Sequence, residues 1–183
     1  KLKLFRGRCA QYIFISSCAA YCYPPAFKLI TEENTPVGNP YWTYGFNKTQ
    51  CEKRLAEEYA RHGQQYTIVR PAYTYNNIRV LNPYTINHWK SWTLAKRLLE
   101  GKPYVLQNDG QQLCTAMHTT DFARAFVGLW KNPAALNQAF HLTSSEYLTW
   151  KRIGELTAAA LDVKPNFCFV PTEQLFLELD RNA

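Results

Sequence analysis

No two of the eight glycines in this 183-residue chain stand closer than Gly38 and Gly45. That spacing excludes a phosphate-cradling loop of the G-x-G-x-x-G kind, because closely set glycines are what let a backbone close around a pyrophosphate. Long hydrophobic runs are also missing. The most apolar stretch lies around Tyr12 to Ile15, far short of the roughly 18 residues a spanning helix needs, so no membrane crossing is expected. None of the six cysteines forms a C-x-x-C pair. Cys18 and Cys22 are four apart with no second close pair, so neither a zinc site nor a disulfide framework is expected. Free thiols in a reducing cytoplasm are the better reading. Methionine is confined to Met117, so Lys1 is not an initiator position and the chain is expected to belong to a longer product. The first 22 residues run basic, apolar, then small, as in a signal peptide, but Gln11 and the serines interrupt the apolar core. A buried strand explains them better.

What is present describes a globular protein: 46% hydrophobic and 19% charged residues. The formal charge is +7, a balance that ordinarily raises nucleic acid as a partner. Its distribution weakens that reading. Lys1, Lys3, Arg6 and Arg8 fall in the first eight residues with no acid among them, and the rest of the chain is close to balanced.

Along the chain, residues 11–16 (Gln-Tyr-Ile-Phe-Ile-Ser) predict a strand buried on both faces, of the parallel-sheet kind. Residues 22–40, with Pro24, Pro25, Pro36, Gly38 and Pro40, predict a loop. From Thr43 to His62 the pattern is helical, with Glu52, Lys53, Glu57 and Glu58 expected to solvate one face and Gly63 to close the helix. Residues 65–69 predict a second strand, followed by Arg70-Pro71. Strand, loop, helix, strand is a βαβ unit and predicts an α/β fold with a parallel sheet. Further on, helices are expected over 85–100, 120–131 and 149–161, the last capped by Thr149, and strands over 104–107, 139–143 and 167–170. Asn108-Asp-Gly110 predicts a turn.

Tyr44 and Lys48 are four apart at the start of the first long helix and therefore share one face. Tyr147 and Lys151 have the same spacing, so the spacing alone decides nothing. Context separates the two pairs. A strand ending in Ser16-Ser17 precedes Tyr44, and a strand ending in Arg70-Pro71 follows it. No such strand precedes Tyr147, which is read as packing or surface.

Three passages, Phe14-Ile-Ser-Ser-Cys-Ala-Ala-Tyr21, Pro40-Tyr-Trp-Thr-Tyr-Gly-Phe-Asn-Lys48 and Val69-Arg-Pro-Ala-Tyr-Thr-Tyr75, stand in the order and at the separations of an extended short-chain dehydrogenase/reductase. Over residues 12–83 the chain resembles the middle of the NAD-dependent epimerase/dehydratase family. The resemblance implies a partial Rossmann-like parallel sheet over 1–78, with a smaller α+β substrate-side lobe over 79–183 interleaved with it. It implies a Ser17, Tyr44, Lys48 catalytic trio acting on a hydroxyl or keto carbon of a sugar-like or small polar substrate. Ser17 would hold the substrate oxygen, with Tyr75 and Arg79 also on the substrate. Tyr44, Lys48, Pro71, Ala72 and Tyr73 would contact NAD or NADP. A free phenol with a pKa near 10 is a poor base at neutral pH, and a neighbouring ammonium favours its anion. The resemblance also implies a homodimer formed through Thr43–His62.

Several positions depart from the pattern. The missing glycine fingerprint places the first βαβ half upstream of Lys1, so these 183 residues are expected to bind NAD(P) weakly. Asn108 to Arg124 continues the resemblance through His118 and Asp121, His118 being read as structural. Cys114 stands where nucleotide-sugar members carry an arginine for the diphosphate, and Asn76 stands where a glycine is usual. Stem-loop RNA-binding proteins resemble the same enzymes, and residues 113–123 with Leu148-Thr-Trp150 are similar to theirs. A non-catalytic RNA-binding protein is therefore the alternative, although such a protein has no need of Ser17, Tyr44 and Lys48 together.

Overall fold

The computed structural model describes residues 2–23, 29–83 and 92–175. The chain divides into two compact units, Lys1–Thr74 with Met117–Thr143, and Tyr75–Ala116 with Ser144–Ala183. It leaves the first unit within strand β3 (Tyr73–Tyr75) and returns to it within strand β5 (Leu113–His118).

The first unit is built on a parallel sheet of order β1-β2-β6, with β1 at Tyr12–Ile15, β2 at Tyr66–Pro71 and β6 at Gln138–Leu142. Ile15 lies opposite Val69, and Arg70 opposite His141. The β-branched run Thr67-Ile68-Val69 makes β2 the buried central strand. β1 departs from the expectation of burial on both faces: Tyr12 to Phe14 are half-buried and Ile15 is 41% exposed. As an edge strand of this sheet it has a neighbour on one side.

After a short helix α1 (Leu2–Phe5), helix α2 spans Thr43–His62 and ends at Gly63, whose φ of 66° is the left-handed conformation a helix terminator adopts. Its buried residues Gly45, Thr49, Glu52, Leu55 and Glu58 recur at helical spacing. Glu52 and Glu58 therefore correct the expected solvated acidic face. Each is only 5% exposed, because each has a cation to meet: Arg70 for Glu52, and Arg6 for Glu58 at 2.7 Å. The second pair also engages one of the four N-terminal basic residues. Helix α4 (Thr119–Leu129) closes this unit, with Phe122, Phe126 and Leu129 packed around Val69, Ala135 and Phe140.

In the second unit, β4 (Tyr104–Gln107) pairs parallel with β8 (Phe167–Val170), and β5 pairs antiparallel with β7 (Tyr147–Thr149). Helix α5 (Trp150–Ala160) begins at the expected cap, with the Thr149 hydroxyl accepting from the Arg152 amide. Gly154 permits close packing there, since a Cβ on it would lie 2.8 Å from the Phe167 ring. Helix α3 covers Thr93–Leu99, shorter than the 85–100 expected. Trp89 and the rest of 84–91 lie outside the described residues. Asn108 and Gly110 take positive φ in the expected turn. No helix among the described residues is long and apolar enough to cross a membrane.

Candidate active site

The carboxyl end of β1 carries the candidate chemistry. Beyond Ile15 the chain passes through Ser16 and Ser17 into a 3-10 turn, Cys18–Ala20. The Ser17 hydroxyl oxygen caps this turn by accepting from the Ala19 amide at 3.1 Å. Accepting there leaves the hydroxyl hydrogen to donate elsewhere.

The first turn of α2 presses directly on this segment. A Cβ at position 45 would stand 2.1 Å from the Ala19 carbonyl oxygen, so only glycine fits. Asn39 donates to that same carbonyl at 3.3 Å, and the Thr49 hydroxyl donates to the Ala20 carbonyl at 3.3 Å. Gly45 thereby holds its neighbour Tyr44 beside the Ser17 turn. Tyr44 is 43% exposed and its ring rests against Trp42 at 5.1 Å. One turn on, Lys48 donates to the Ile15 carbonyl at 2.8 Å, with its Nζ 5.5 Å from the centre of the Tyr44 ring.

Beneath this edge lies a network that sequence reasoning missed. The Ser16 hydroxyl donates to Glu52, and Arg70 grips the same carboxylate with two hydrogen bonds, 3.1 Å from Nε and 2.7 Å from Nη2. All three side chains are buried, so the pair is the bidentate, desolvated kind. Glu52 is one helical turn beyond Lys48, and Ser16 immediately precedes Ser17. The network thus fixes the backbone that carries two of the three candidate groups. Its only sequence signal was Arg70 at the end of a strand otherwise read as buried.

Pro71, Ala72 and Tyr73 follow at the carboxyl end of β2, the strand paired with β1. In open parallel sheets this is the end where ligands bind. One edge of one sheet therefore holds Ser17, Tyr44, Lys48, Pro71, Ala72 and Tyr73. Tyr75 and Arg79 belong to the second unit, where they line a cavity of about 440 Å³ together with Asn76 and Cys114. His118 caps α4, its Nδ1 accepting from the Thr120 amide, and Asp121 pairs with Arg124 at 3.2 Å. Tyr147 is 65% exposed, as a surface residue would be.

His141, at the end of β6, stacks obliquely on Tyr21 at 5.6 Å and has a buried Nε2 with no hydrogen-bond partner. Burial holds its imidazole below the ordinary pKa; the Glu32 charge opposes this and the Arg70 charge adds to it. The folded chain then keeps His141 neutral while the unfolded chain takes up a proton below about pH 6.5. This contribution to stability is fully present above that pH and is lost as the pH falls through it. Urea midpoints measured at pH 7.5 and 5.5 are expected to differ less in His141→Gln than in the parent chain.

Comparison with known proteins agrees with this geometry. Among solved structures, a UDP-glucose 4-epimerase from Thermotoga maritima, crystallised with UDP-glucose, matches 93% of this chain with a TM-score of 0.73 at 21% identity. A UDP-glucuronic acid 4-epimerase from Bacillus cereus, in complex with UDP-glucuronic acid and NAD, matches 93% with a TM-score of 0.75 at 19% identity. The chain covers 53% and 52% of those two proteins, about half their length. A chloroplast stem-loop binding protein of 41 kDa from Arabidopsis thaliana is 25% identical over 150 residues, which are 82% of this chain and 36% of that protein. These likenesses establish the Rossmann-like α/β fold. The model of the NAD dependent epimerase/dehydratase family matches residues 3–142, from α1 to the end of β6, and the chain belongs to that family.

Proposed function

We propose that this chain carries the proton-transfer centre of an NAD-dependent enzyme that oxidises, reduces or epimerises a hydroxyl or keto carbon. The observation that carries the reading is the placement of Tyr44, Lys48 and Ser17 at the carboxyl end of β1, with the Lys48 ammonium 5.5 Å from the Tyr44 ring. A phenol exposed to solvent, an ammonium beside it and a hydroxyl with its hydrogen uncommitted form a proton relay. Tyr44 takes or gives the proton of the substrate hydroxyl. Lys48 favours the anionic phenol by direct charge. Ser17 donates to the substrate oxygen and holds it in line with Tyr44.

The residues fit one end of the cofactor. Lys48 and Tyr44 supply a cation and a hydroxyl suited to a ribose, and Pro71, Ala72 and Tyr73 supply backbone at the same sheet edge. No pair of glycines in the chain is set closely enough to cradle a pyrophosphate. A nicotinamide, when bound, accepts or supplies the hydride. Tyr75 and Arg79 serve the substrate side in the second unit. In this reading the protein is cytoplasmic, in keeping with six unpaired cysteines, and self-associates through α2, whose Phe46 is 47% and Tyr59 41% exposed.

The relay is tested at Ser17, where turnover is followed through NADH absorbance. Ser17→Ala is expected to lower turnover by about 10²-fold, the scale of losing one aimed hydrogen-bond donor, while Ser17→Thr retains most of it. Equal turnover in the alanine variant would remove Ser17 from the relay.

A further inference from the structure

The cavity in the second unit is unusual in what it offers a ligand. At about 440 Å³ it lies within the range of roughly 300–1,000 Å³ typical of small-molecule sites. One wall is a single face of α5, where Ile153, Leu156, Thr157 and Ala160 recur at helical spacing. Trp92 and Cys114 belong to the remaining lining.

Among the described residues, Arg79 and Glu146 are the only charged groups in that lining. They are opposite in sign, so the lining is neutral overall. Most of its other polar groups are turned onto the protein itself. The Thr157 hydroxyl donates to the Ile153 carbonyl at 2.8 Å, and the Ser144 hydroxyl to the Glu146 carbonyl at 2.9 Å. The Asn76 side-chain oxygen accepts from the Ile78 amide at 3.1 Å.

The helix that forms the wall offers no anion site either. At its start, the amides of Trp150 and Lys151 donate to the carbonyls of Gln112 and Gly110, and that of Arg152 to the Thr149 hydroxyl. The amide donors that make a helix N-terminus attract phosphate are therefore already used. A diphosphate brings roughly one negative charge per phosphate. Here it would meet one guanidinium, one repelling carboxylate and an apolar wall, and an anion desolvated without enough partners is costly.

We propose that this cavity takes an uncharged, largely apolar part of the substrate and does not bind a nucleoside diphosphate. Cys114, 5% exposed and facing the cavity, is the determinant that most directly keeps a second cation out. The proposal deepens the reading above, since it takes the second unit to be the substrate side.

The test reads binding without turnover, so its failure and a failure of the Ser17, Tyr44 and Lys48 relay are separate results. The neutral fluorophore 1-aminoanthracene is titrated into the protein, and UDP and UDP-glucose are then added as competitors. Saturable binding with a dissociation constant of about 10 µM or tighter is expected, with no displacement by either nucleotide at about 1 mM. Leu156→Arg and Ala160→Arg place a charge in the lining at exposed helix positions, where folding tolerates it. Each is expected to weaken fluorophore binding about 10-fold or more, with circular dichroism unchanged. The proposal is overturned if either nucleotide displaces the probe, if the probe does not bind, or if both arginine variants bind it as tightly as the parent.

Discussion

Arg70→Ala is expected to lower the unfolding free energy by about 3–5 kcal/mol, measured by urea denaturation at neutral pH. The size follows from what the substitution leaves behind. Arg70 and Glu52 are 6% and 5% exposed and joined by two hydrogen bonds. Removing the guanidinium leaves a carboxylate buried in the sheet with only the Ser16 hydroxyl to satisfy it. The cost is that of an uncompensated charge and not the net worth of the pair. Replacing both partners, in Glu52→Leu with Arg70→Met, is accordingly expected to recover most of the loss, since apolar side chains of similar size carry no stranded charge. A loss below about 1 kcal/mol in the single variant would show that water reaches the site and screens it as at a surface.

The second large effect is on chemistry. Tyr44→Phe removes one oxygen from a side chain that is 43% exposed, so folding is expected to change little. Its ring keeps its contact with Trp42, and Lys48 keeps its bond to the Ile15 carbonyl. Turnover is nevertheless expected to fall by about 10²–10⁴-fold, the range supplied by a positioned proton donor or acceptor. Cofactor affinity should change far less, because the loss belongs to the transition state. Comparing kcat with KM for the cofactor separates this outcome from a disturbed helix start, which would move both.

Sequence pattern revealed the first unit more fully than the second. The β1, α2 and β2 segments were legible because a β-branched run, a long helical period and a glycine terminator each favour one structure locally. Tyr44 and Lys48 were legible because their spacing sits at the start of that helix, between two recognisable strands. Glu52 was misread, since helical periodicity places an acid on a face but cannot reveal that the face meets an arginine 18 residues later on a strand. The strands β3, β5 and β7 were missed for a related reason. Tyr147–Thr149 is three residues long, and Leu113–His118 mixes polar and apolar residues without clean alternation, so pairing and not local preference makes them strands. The cavity joins residues from 75 to 161 and has no local signature at all. Only Cys114, read against its family's arginine, hinted at its character.

The most direct test of the central claim follows a labelled hydride. An uncharged secondary alcohol deuterated at its carbinol carbon is mixed with the protein and NAD at high concentration, and the nicotinamide is analysed by mass spectrometry. The Ser17, Tyr44 and Lys48 relay predicts deuterium at the nicotinamide ring with the parent protein, and labelling slower by about 10²-fold or more with Tyr44→Phe. Equal labelling by the two proteins, or no labelling by the parent across a panel of such alcohols and the corresponding ketones with labelled NADH, would contradict it.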